Sequence, residues 1–389
     1  MKQKIIIRNG NISIGGQEKM LIEFLNILDE NKYEVLLLIE ENNGYRNDFL
    51  NDIPSWIELK FLVNEDFMMN LEKNQKSKNP IRKLIYSHLL KKKKTISIRN
   101  FEKYLNYSDI IIDYDMGLIR NLNKLNLKNK ILIGWSHAGN GEKIKNKQKQ
   151  KNIERYDYIV SINEKMKNGF KNNLTHPKII KIYNFLDFNK ILEKSHEKIE
   201  ENIGDYIIEV GSLTKNKNQE LLIRAFANLK KNNKIKEKLV IIGDGKEKNR
   251  LLNLICELNL ENDIFLLGQK ANPYKYIKIS KLLLITSENE SFGLTALEAF
   301  ALGKMVISTK TDGTYEILED SKYGKIINPN IDELEENLYF YLNNLEERKK
   351  YEKLGLLRIK DFSKDNLQIK IDNFLQNIIA RSITNEKND

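Results

Sequence analysis

The chain has 389 residues, of which 41% are hydrophobic and 31% charged, so it can form two or three packed domains and its composition argues against global disorder. A single cysteine, Cys256, excludes an intrachain disulfide framework and, from its apolar neighbours, is predicted to be a buried structural thiol. The net charge of +11 suits an anionic partner: a phosphate-bearing ligand, nucleic acid or an anionic membrane surface.

The N-terminus has only three consecutive apolar residues, at 5–7, which is too short for the core of a signal peptide. The sequence also lacks a run of about eighteen apolar residues, the length that a membrane-spanning helix requires. We therefore expect a cytoplasmic protein that is either soluble or peripheral on the inner face of the cell membrane.

The first half of the chain alternates apolar runs with amphipathic segments. The runs that we predict to be buried parallel strands are 4–8, 34–39, 109–113, 131–135 and 158–162. An amphipathic helix at 17–30 separates the first two runs, so the chain opens with a strand–helix–strand unit.

Segment 80–94 concentrates the positive charge of the chain. Apolar residues recur at helical spacing from Ile81 to Leu89, and lysines occupy 91–94. This pattern is compatible with an interfacial helix attracted to anionic lipid and equally with a surface helix that ends in a solvated lysine tail. Both interpretations stay open from the sequence.

The second half repeats the same alternation. Its predicted strands are 206–212, 238–245, 263–268, 281–287 and 305–310, and its predicted helices are 218–231, 246–260, a helix from Phe292, 333–350 and 362–382. Each of the first three helices follows a strand and precedes another strand. This alternation is typical of a doubly wound parallel sheet.

A polar, charged stretch at 184–204 separates the two halves. We therefore predict an α/β protein with two Rossmann-like domains that face each other across a cleft. The predicted domains are 1–190 and 203–360. Residues 361–389 are predicted to form a C-terminal helix that crosses back to the first domain.

Ligands of parallel sheets bind at the carboxyl ends of the strands, where helix N-termini point. Gly16 lies in a glycine turn before the first helix and would let a phosphate approach the backbone, although a tight turn without a ligand fits as well. Lys215 and Lys217 follow a second-half strand and precede a helix that Asn218 could cap. Two cations at a helix N-terminus oppose the helix dipole, and a bound diphosphate would remove that conflict.

Two further candidates lie in the first half. His137 follows the strand at 131–135 and precedes glycines, which favours a role in the cleft over a purely structural one. Asp113 and Asp115 form the Asp-x-Asp pattern of some metal-dependent sugar transferases, but aspartates also commonly turn the chain at the end of a strand. Zinc and P-loop motifs are absent from the sequence.

The stretch ENESFGLTALEAFALG, 288–303, places a carboxylate on the apolar face of a helix. Glu298 falls at the same helical spacing as the leucines, and a buried carboxylate is costly unless it is paired or hydrogen-bonded. Glu290 precedes this helix on a loop that Gly293 lets turn tightly. The two carboxylates could hold ligand hydroxyls, or they could be a salt-bridged core residue and a solvated loop residue. Further along, Gly313 and Thr314 could offer backbone amides to a phosphate.

Five sequence stretches together resemble the family-4 retaining glycosyltransferases of the GT-B fold. They are IGGQE (14–18), VGSLTKNKNQELLIRAF (210–226), IIGDG (241–245), SENESFGLTALEAFALGKMVIST (287–309) and TDGTYEI (311–317). The resemblance is strongest from 206 to 328 and patchier before it. Its most specific element is the pair Glu290 and Glu298, separated by seven residues that include Phe292, Gly293 and Leu294.

The resemblance implies roles for the matching residues. Glu298 would hold the ribose hydroxyls of a nucleotide, and Glu290 would face the transferred sugar as a catalytic residue together with His137. Lys217 would neutralise the donor diphosphate. The remaining implied donor-binding residues are Gly16, Gly211, Lys215, Ser291, Phe292, Gly293 and Leu294.

The implied reaction moves a sugar from a nucleotide diphosphate, for which UDP is expected, to an acceptor with retention at the anomeric carbon. Lysine and helix N-termini would stabilise the leaving diphosphate, so no cofactor and no metal are expected. The expected acceptor is a saccharide or a lipid-linked saccharide in the synthesis of surface polysaccharide or glycolipid, held by the first domain. An anionic membrane is a further expected partner through 80–94; nucleic acid is not, since no recognition module accompanies the charge.

The sequence departs from the family at three positions. Ser212 replaces a usual arginine, which weakens diphosphate binding by roughly 1.5–3 kcal/mol unless Lys215 compensates. Ser291 and Asn218 replace usual glycines. Ser212 keeps one alternative open, a catalytically weak or inactive sugar-nucleotide-binding protein. Another GT-B enzyme, such as a nucleotide-sugar epimerase or a phosphorylase, is a separate alternative.

Overall fold

The computed structural model describes residues 2–13, 15–137, 139 and 147–385, with the backbone alone for 381–385. Ile14 of the predicted glycine turn lies outside the described residues. The chain divides into two compact units, of which the second comprises 184–366 and the first the rest.

The first unit is built on a seven-stranded parallel sheet. Its strands are β1 (Gln3–Asn9), β2 (Tyr33–Glu41), β3 (Glu58–Val63), β4 (Ile110–Asp113), β5 (Ile131–Ser136), β6 (Tyr158–Ser161) and β7 (Lys178–Lys181). They lie in the order β3-β2-β1-β4-β5-β6-β7. The helices that accompany them are α1 (Gly16–Ile27), α2 (Glu65–Gln75), α3 (Pro80–Glu102), α4 (Lys147–Ile153) and α5 (Glu164–Asn173).

The five strands predicted in this unit are confirmed, and two more occur at the sheet edges. Residues 5–7 of the central strand β1 have no exposed surface, because helices cover both faces of a parallel sheet. β3 and β7 were not predicted. Their residues are mostly half-buried or exposed, so neither strand carries the continuous apolar run that marks a buried strand.

The second unit contains a six-stranded parallel sheet. Its strands are β8 (Tyr206–Val210), β9 (Lys238–Ile242), β10 (Ile264–Leu266), β11 (Leu283–Ile285), β12 (Val306–Thr309) and β13 (Lys325–Ile327), in the order β10-β9-β8-β11-β12-β13. Its helices are α6 (Phe188–Lys194), α7 (Gln219–Lys231), α8 (Lys248–Glu257), α9 (Tyr274–Ile279), α10 (Leu294–Ala301), α11 (Asp312–Leu318), α12 (Ile331–Asn343) and α13 (Leu345–Arg358). The prediction of two Rossmann-like α/β domains is confirmed.

The predicted helix at 333–350 is wrong as a single element. It divides at Asn344, which ends α12 and whose side chain accepts a hydrogen bond from the backbone N–H of Glu347. Asparagine at this position caps a new helix instead of continuing the old one. The helix predicted to begin near Phe292 begins two residues later, at Leu294.

The prediction that Cys256 is buried is also wrong, since its thiol is exposed. The residues of α8 that face the core are Leu251, Leu254 and Ile255, at helical spacing. Cys256 comes one position after this set and is therefore rotated about 100° away from Ile255 on the helix surface.

The units divide after Tyr183, whereas the sequence placed the first limit at residue 190. The reason is α6, which packs on α9 and α10 of the second unit. The final helix, α14 (Lys364–Asn385), belongs to the first unit from Leu367 onward.

Contacts at the amino-terminal ends of β2 and β6 hold α14 on the first unit. Tyr33 and Lys32 donate hydrogen bonds to the Asp372 carboxylate at 2.8 Å and 2.6 Å, and the rings of Phe374 and Tyr158 meet edge to face at 5.8 Å. Helical residues of this segment thus pack on the first unit, as the sequence led us to expect.

Helix α3 leaves part of its apolar surface uncovered. Ile81, Leu84 and Ile85 are 65%, 73% and 43% exposed, whereas Leu89, predicted to share their stripe, is buried. Lys93 forms an ion pair with Glu41. Along the described part of the chain, no helix is both long and apolar enough to cross a bilayer.

Candidate active site

Three loops of the second unit meet because β8, β11 and β12 are neighbours in the sheet. Each loop follows the carboxyl end of its strand: 211–218 after β8, 286–293 after β11 and 310–311 after β12. This is the edge at which parallel sheets bind ligands, so the topology alone brings most of the predicted donor residues together.

Lys217 and Glu290 form an ion pair at this edge. Their side chains are 23% and 20% exposed, so the pair is partly shielded from water, and Ser287 Oγ lies 3.4 Å from the same Glu290 oxygen. The sequence predicted separate roles for the two residues, on the diphosphate and on the sugar. The structure places their charged groups in direct contact.

Hydrogen bonds between backbone and side chain fix the loops that carry this pair. Asn216 accepts from the backbone N–H of Glu288 through its carbonyl, and its side chain donates to the carbonyl of Asn289, both at 2.8 Å. The backbone N–H of Gly313 donates to the Glu290 carbonyl, also at 2.8 Å. The geometry of the ion pair is therefore set by the surrounding backbone.

The amides of Gly313 and Thr314 do not point to a free phosphate site, contrary to the interpretation from sequence. The first donates to the Glu290 carbonyl, and the second donates to the Thr311 hydroxyl at 3.3 Å in a capping box at the start of α11. Because both amides already have partners within the fold, their role is to hold the loop.

The loop 286–293, which carries Glu290, is anchored at its C-terminal end. Phe292 is buried against the ring of Phe362, and Gly293 adopts a left-handed conformation with φ of +95° immediately before α10. Only glycine adopts such a backbone without a steric penalty, which explains the glycine at this turn. Ser291 and Leu294, on either side, are half-buried.

Glu298 is 6% exposed and lies on α10, where its neighbours Leu297, Ala299 and Phe300 are buried too. The buried position predicted for this carboxylate is confirmed. Its role as a ribose ligand stays a prediction.

The loop after β8 combines buried and exposed positions. Lys215 and Ser212 are exposed, and a Cβ built on Gly211 would meet the methylenes of Lys217 at ordinary contact distance. Asn218 has a φ of +52° and its side chain makes no cap hydrogen bond, so capping does not explain why asparagine can replace glycine here. The reason is that asparagine, unlike most residues, tolerates the left-handed conformation.

The remaining two predicted residues lie in the first unit. Gly16 is exposed at the first position of α1. His137 is buried against the ring of Tyr114, at 4.5 Å between centroids, and neither of its ring nitrogens has a hydrogen-bond partner among the described residues. Burial lowers the pKa of His137 to about 3, so the imidazole is neutral at physiological pH. A neutral imidazole can exchange hydrogen bonds with a ligand but carries no positive charge.

The Asp-x-Asp pattern has a structural explanation in the first unit. Arg8 is buried, and its guanidinium forms ion pairs with Asp113, Asp115 and Glu40. Tyr156 also donates a hydrogen bond to Asp113, at 2.5 Å. Burial raises the pKa of Asp113 to about 7, against the opposing effect of Arg8. The two aspartates thus compensate a buried cation.

Sequence reasoning missed Glu209 and Thr286, which lie beneath the loop 211–218, called the Lys217 loop below. Glu209 is 3% exposed on the central strand β8, and Thr286 is 1% exposed directly after β11. The available signal was a charged residue inside an otherwise apolar strand, YIIEV.

Comparison with known proteins finds a family match over part of the chain. The model of the glycosyl transferases group 1 matches residues 191–356. The chain is 36% identical over 185 residues to the N-acetylgalactosamine-N,N'-diacetylbacillosaminyl-diphospho-undecaprenol 4-alpha-N-acetylgalactosaminyltransferase of Campylobacter jejuni, covering 47% of this chain and 49% of the relative. It is 27% identical over 196 residues to the poly(ribitol-phosphate) alpha-N-acetylglucosaminyltransferase of Staphylococcus aureus, covering 50% and 38%. The chain thus spans about half or less of the length of these curated relatives.

Among solved structures, the crystal structure of Anabaena HepE in complex with UDP and glucose superposes with a TM-score of 0.74. The alignment covers 96% of this chain and all of that one at 17% identity, so the likeness concerns the fold. Sucrose-phosphate synthase from Thermosynechococcus elongatus gives a TM-score of 0.77 at 15% identity, with coverage of 98% and 100%. The match over 191–356 agrees with the resemblance found in the sequence, and the superpositions show that the chain has the GT-B fold.

Proposed function

We propose that this chain transfers a sugar, with retention, from a UDP-sugar to a saccharide or lipid-linked saccharide acceptor in the synthesis of surface polysaccharide or glycolipid. The observation that carries the proposal is the convergence of Lys217, Glu290 and the N-terminal end of α10 at one sheet edge of the second unit. A cation beside a carboxylate suits a donor in which a diphosphate is joined to a hydroxyl-rich sugar.

The names of the relatives support the finer parts of the proposal. The Campylobacter relative is named for a diphospho-undecaprenol acceptor and the Staphylococcus relative for poly(ribitol-phosphate), and both names specify an alpha-linked product. Common UDP-hexoses are α-linked at the sugar, so an α-linked product means retention. The HepE crystal structure contains UDP.

In this mechanism the chain's own residues position the donor and stabilise the leaving group. Lys217 neutralises charge that develops on the departing diphosphate, and Glu298 holds the ribose. Glu290 serves as a hydrogen-bonding group for the transferred sugar. For the neutral imidazole of His137, in the first unit, the same role rests on the sequence resemblance. Gly211, Lys215 and the backbone of 291–294 complete the donor site proposed for the second unit. For Gly16, in the first unit, donor binding rests on the sequence resemblance. No cofactor or metal is proposed.

The donor assignment predicts selective stabilisation by one nucleotide diphosphate. Thermal unfolding is followed with UDP, GDP, ADP and CDP, with and without EDTA, on the wild type and Glu298→Ala. We expect a rise in Tm with UDP that EDTA leaves unchanged and that the Glu298→Ala variant loses, because the ribose hydroxyls then lack their acceptor.

A surface variant, Glu346→Ala, is the matched control, since Glu346 is an exposed carboxylate of the same unit. An equal rise with all four nucleotides, or a rise that Glu298→Ala retains, would contradict the assigned site.

We also propose that α3 attaches the first unit to an anionic membrane. Its exposed residues Ile81, Leu84 and Ile85 provide an apolar surface, and Lys91, Lys92 and Lys94 are exposed on the same helix. Apolar insertion combined with basic residues near the headgroups gives reversible binding to anionic lipid.

If α3 binds anionic lipid, the protein should float with vesicles that contain both phosphatidylcholine and phosphatidylglycerol. It should not float with vesicles of phosphatidylcholine alone. Replacing Lys91 and Lys94 by glutamate should weaken binding by about tenfold or more, since each basic residue near the surface contributes about 1 kcal/mol. Ile279→Ser, at an exposed apolar residue of the second unit, should leave binding unchanged. Equal flotation with both lipids would contradict the proposal.

A further inference from the structure

Glu209 is a carboxyl group in an unusual position, at the centre of the second sheet. Its strand, β8, lies between β9 and β11, and its register neighbours there are Ile241 and Leu284, both apolar. The side chain is buried, and among the described residues its Oε2 has no hydrogen-bond partner. A carboxylate in such a place would lack compensation for most of its lost hydration.

The other carboxyl oxygen of Glu209 contacts Thr286. The Thr286 hydroxyl oxygen lies 3.2 Å from Glu209 Oε1 and 2.9 Å from the carbonyl oxygen of Lys217. A hydroxyl has one proton to donate, whereas a backbone carbonyl can only accept. Thr286 therefore donates to Lys217 in the shorter contact, and the contact with Glu209 becomes a full hydrogen bond when Glu209 donates its own proton.

We propose that Glu209 is a positioning residue of the donor site, which as a protonated acid completes a hydrogen-bond chain through Thr286 to Lys217, and whose ionisation weakens binding of the donor diphosphate. This inference rests on the function proposed above, since it assigns the Lys217 loop to the diphosphate. Beyond the proposed function, the inference assigns a role to a residue that does not contact the donor, and it makes donor binding depend on pH.

The electrostatics of the site agree with this geometry. Burial raises the pKa of Glu209 to about 8. Hydrogen bonds that the Thr286 hydroxyl and backbone N–H can donate to the ionised carboxylate, and the positive charge of Lys217, oppose this rise in part. Lys217 is the charged group that acts on Glu209 within the described residues, and it is paired in turn with Glu290. Ionisation of Glu209 would place a further negative charge beside the Lys217–Glu290 pair, and this charge would repel the negatively charged diphosphate.

Glu209→Gln tests the proposal because an amide N–H₂ can donate to Thr286 as the acid does but cannot ionise. UDP affinity is measured by calorimetry from pH 6.5 to 9.5 for the wild type and the variant. The ratio of the two affinities cancels the titration of UDP and of every other shared group. We expect the wild type to lose about fivefold in affinity relative to Glu209→Gln as the pH rises through 8, from like-charge repulsion across the loop.

Thermal unfolding without ligand gives a second measurement that does not depend on UDP. The unfolded chain releases the Glu209 proton near pH 4.3, whereas the folded chain holds it to about pH 8. The wild type therefore loses stability between these pH values, and the Tm difference in favour of Glu209→Gln should grow from pH 5 to pH 8 and then level off.

The outcomes separate the two claims. Diverging profiles in both measurements support the proposal. UDP binding with parallel affinity profiles overturns the role of Glu209 and leaves the proposed function intact. Absence of UDP binding in the wild type overturns the proposed function and with it the role of Glu209, even if the Tm profiles diverge. Parallel Tm profiles would show that Glu209 is ionised in the folded protein, which also overturns the proposal.

Discussion

Gly313→Ala is expected to lower sugar transfer by about a hundredfold or more, because a Cβ at this position has no space. It would lie 2.3–2.5 Å from three backbone atoms of Phe292, and backbone cannot move aside as a flexible side chain can. The loop that carries Glu290 must shift, and the hydrogen bond from Gly313 to the Glu290 carbonyl is strained or lost.

The measurements are turnover with a UDP-sugar and the free energy of unfolding, which should fall by about 1–3 kcal/mol from overpacking. Gly211→Ala is the control for stability, because its Cβ would meet Lys217 at 3.6 Å, an ordinary contact. If Gly313→Ala keeps turnover within about threefold of the wild type, the loop is not held as the structure indicates.

Lys217→Met is expected to reduce UDP affinity by about 10- to 150-fold, the effect of losing a charge-assisted contact of about 1.5–3 kcal/mol. Methionine keeps an unbranched side chain over Gly211 and removes only the charge. The loss should be large because Ser212, at the position of an arginine in the family that the sequence resembles, carries no charge.

The ion pair predicts an asymmetry between its two members. Glu290→Gln removes the partner that competes with a diphosphate for Lys217, so UDP affinity should stay equal or rise while sugar transfer falls. Lys350→Met, at a surface ion pair with Glu347, is the control and should change neither quantity. Equal losses of UDP affinity in Lys217→Met and Glu290→Gln would mean that the pair acts as a structural unit.

Most of the fold could be predicted because buried parallel strands leave a plain pattern in the sequence. The runs III (5–7) and VLLLI (35–39) are apolar at every position, which is what a strand covered on both faces requires. The strands β3, β7 and β13 escaped because their residues are mostly half-buried or exposed, so the continuous buried apolar run that identifies a strand is missing.

The site was predictable in part for a related reason. Lys217 and Glu290 each follow a predicted strand, and the rule for parallel sheets places both at one edge. Their ion pair was not predictable, because the residues are 73 positions apart and the contact depends on the order of strands in the sheet. The same limit applies to Glu209, whose partner Thr286 comes 77 positions later.

Local conformation decided the remaining corrections. The tolerance for Asn218 depends on a left-handed backbone that the sequence does not display, and the amides of Gly313 and Thr314 are used within the fold. Both features follow from φ and from tertiary contacts. Residue type alone, which was sufficient for the strands, does not specify them.

The most direct test of the proposed function is the anomeric configuration of the product. The protein is incubated with α-linked UDP-N-acetylgalactosamine, UDP-N-acetylglucosamine or UDP-glucose and a diphospholipid-linked saccharide, and the new linkage is assigned by NMR from its anomeric coupling. We predict transfer from one of these donors and an α-linked product. A β-linked product would contradict retention, and absence of both transfer and UDP release with every donor would contradict the assignment as a UDP-sugar transferase.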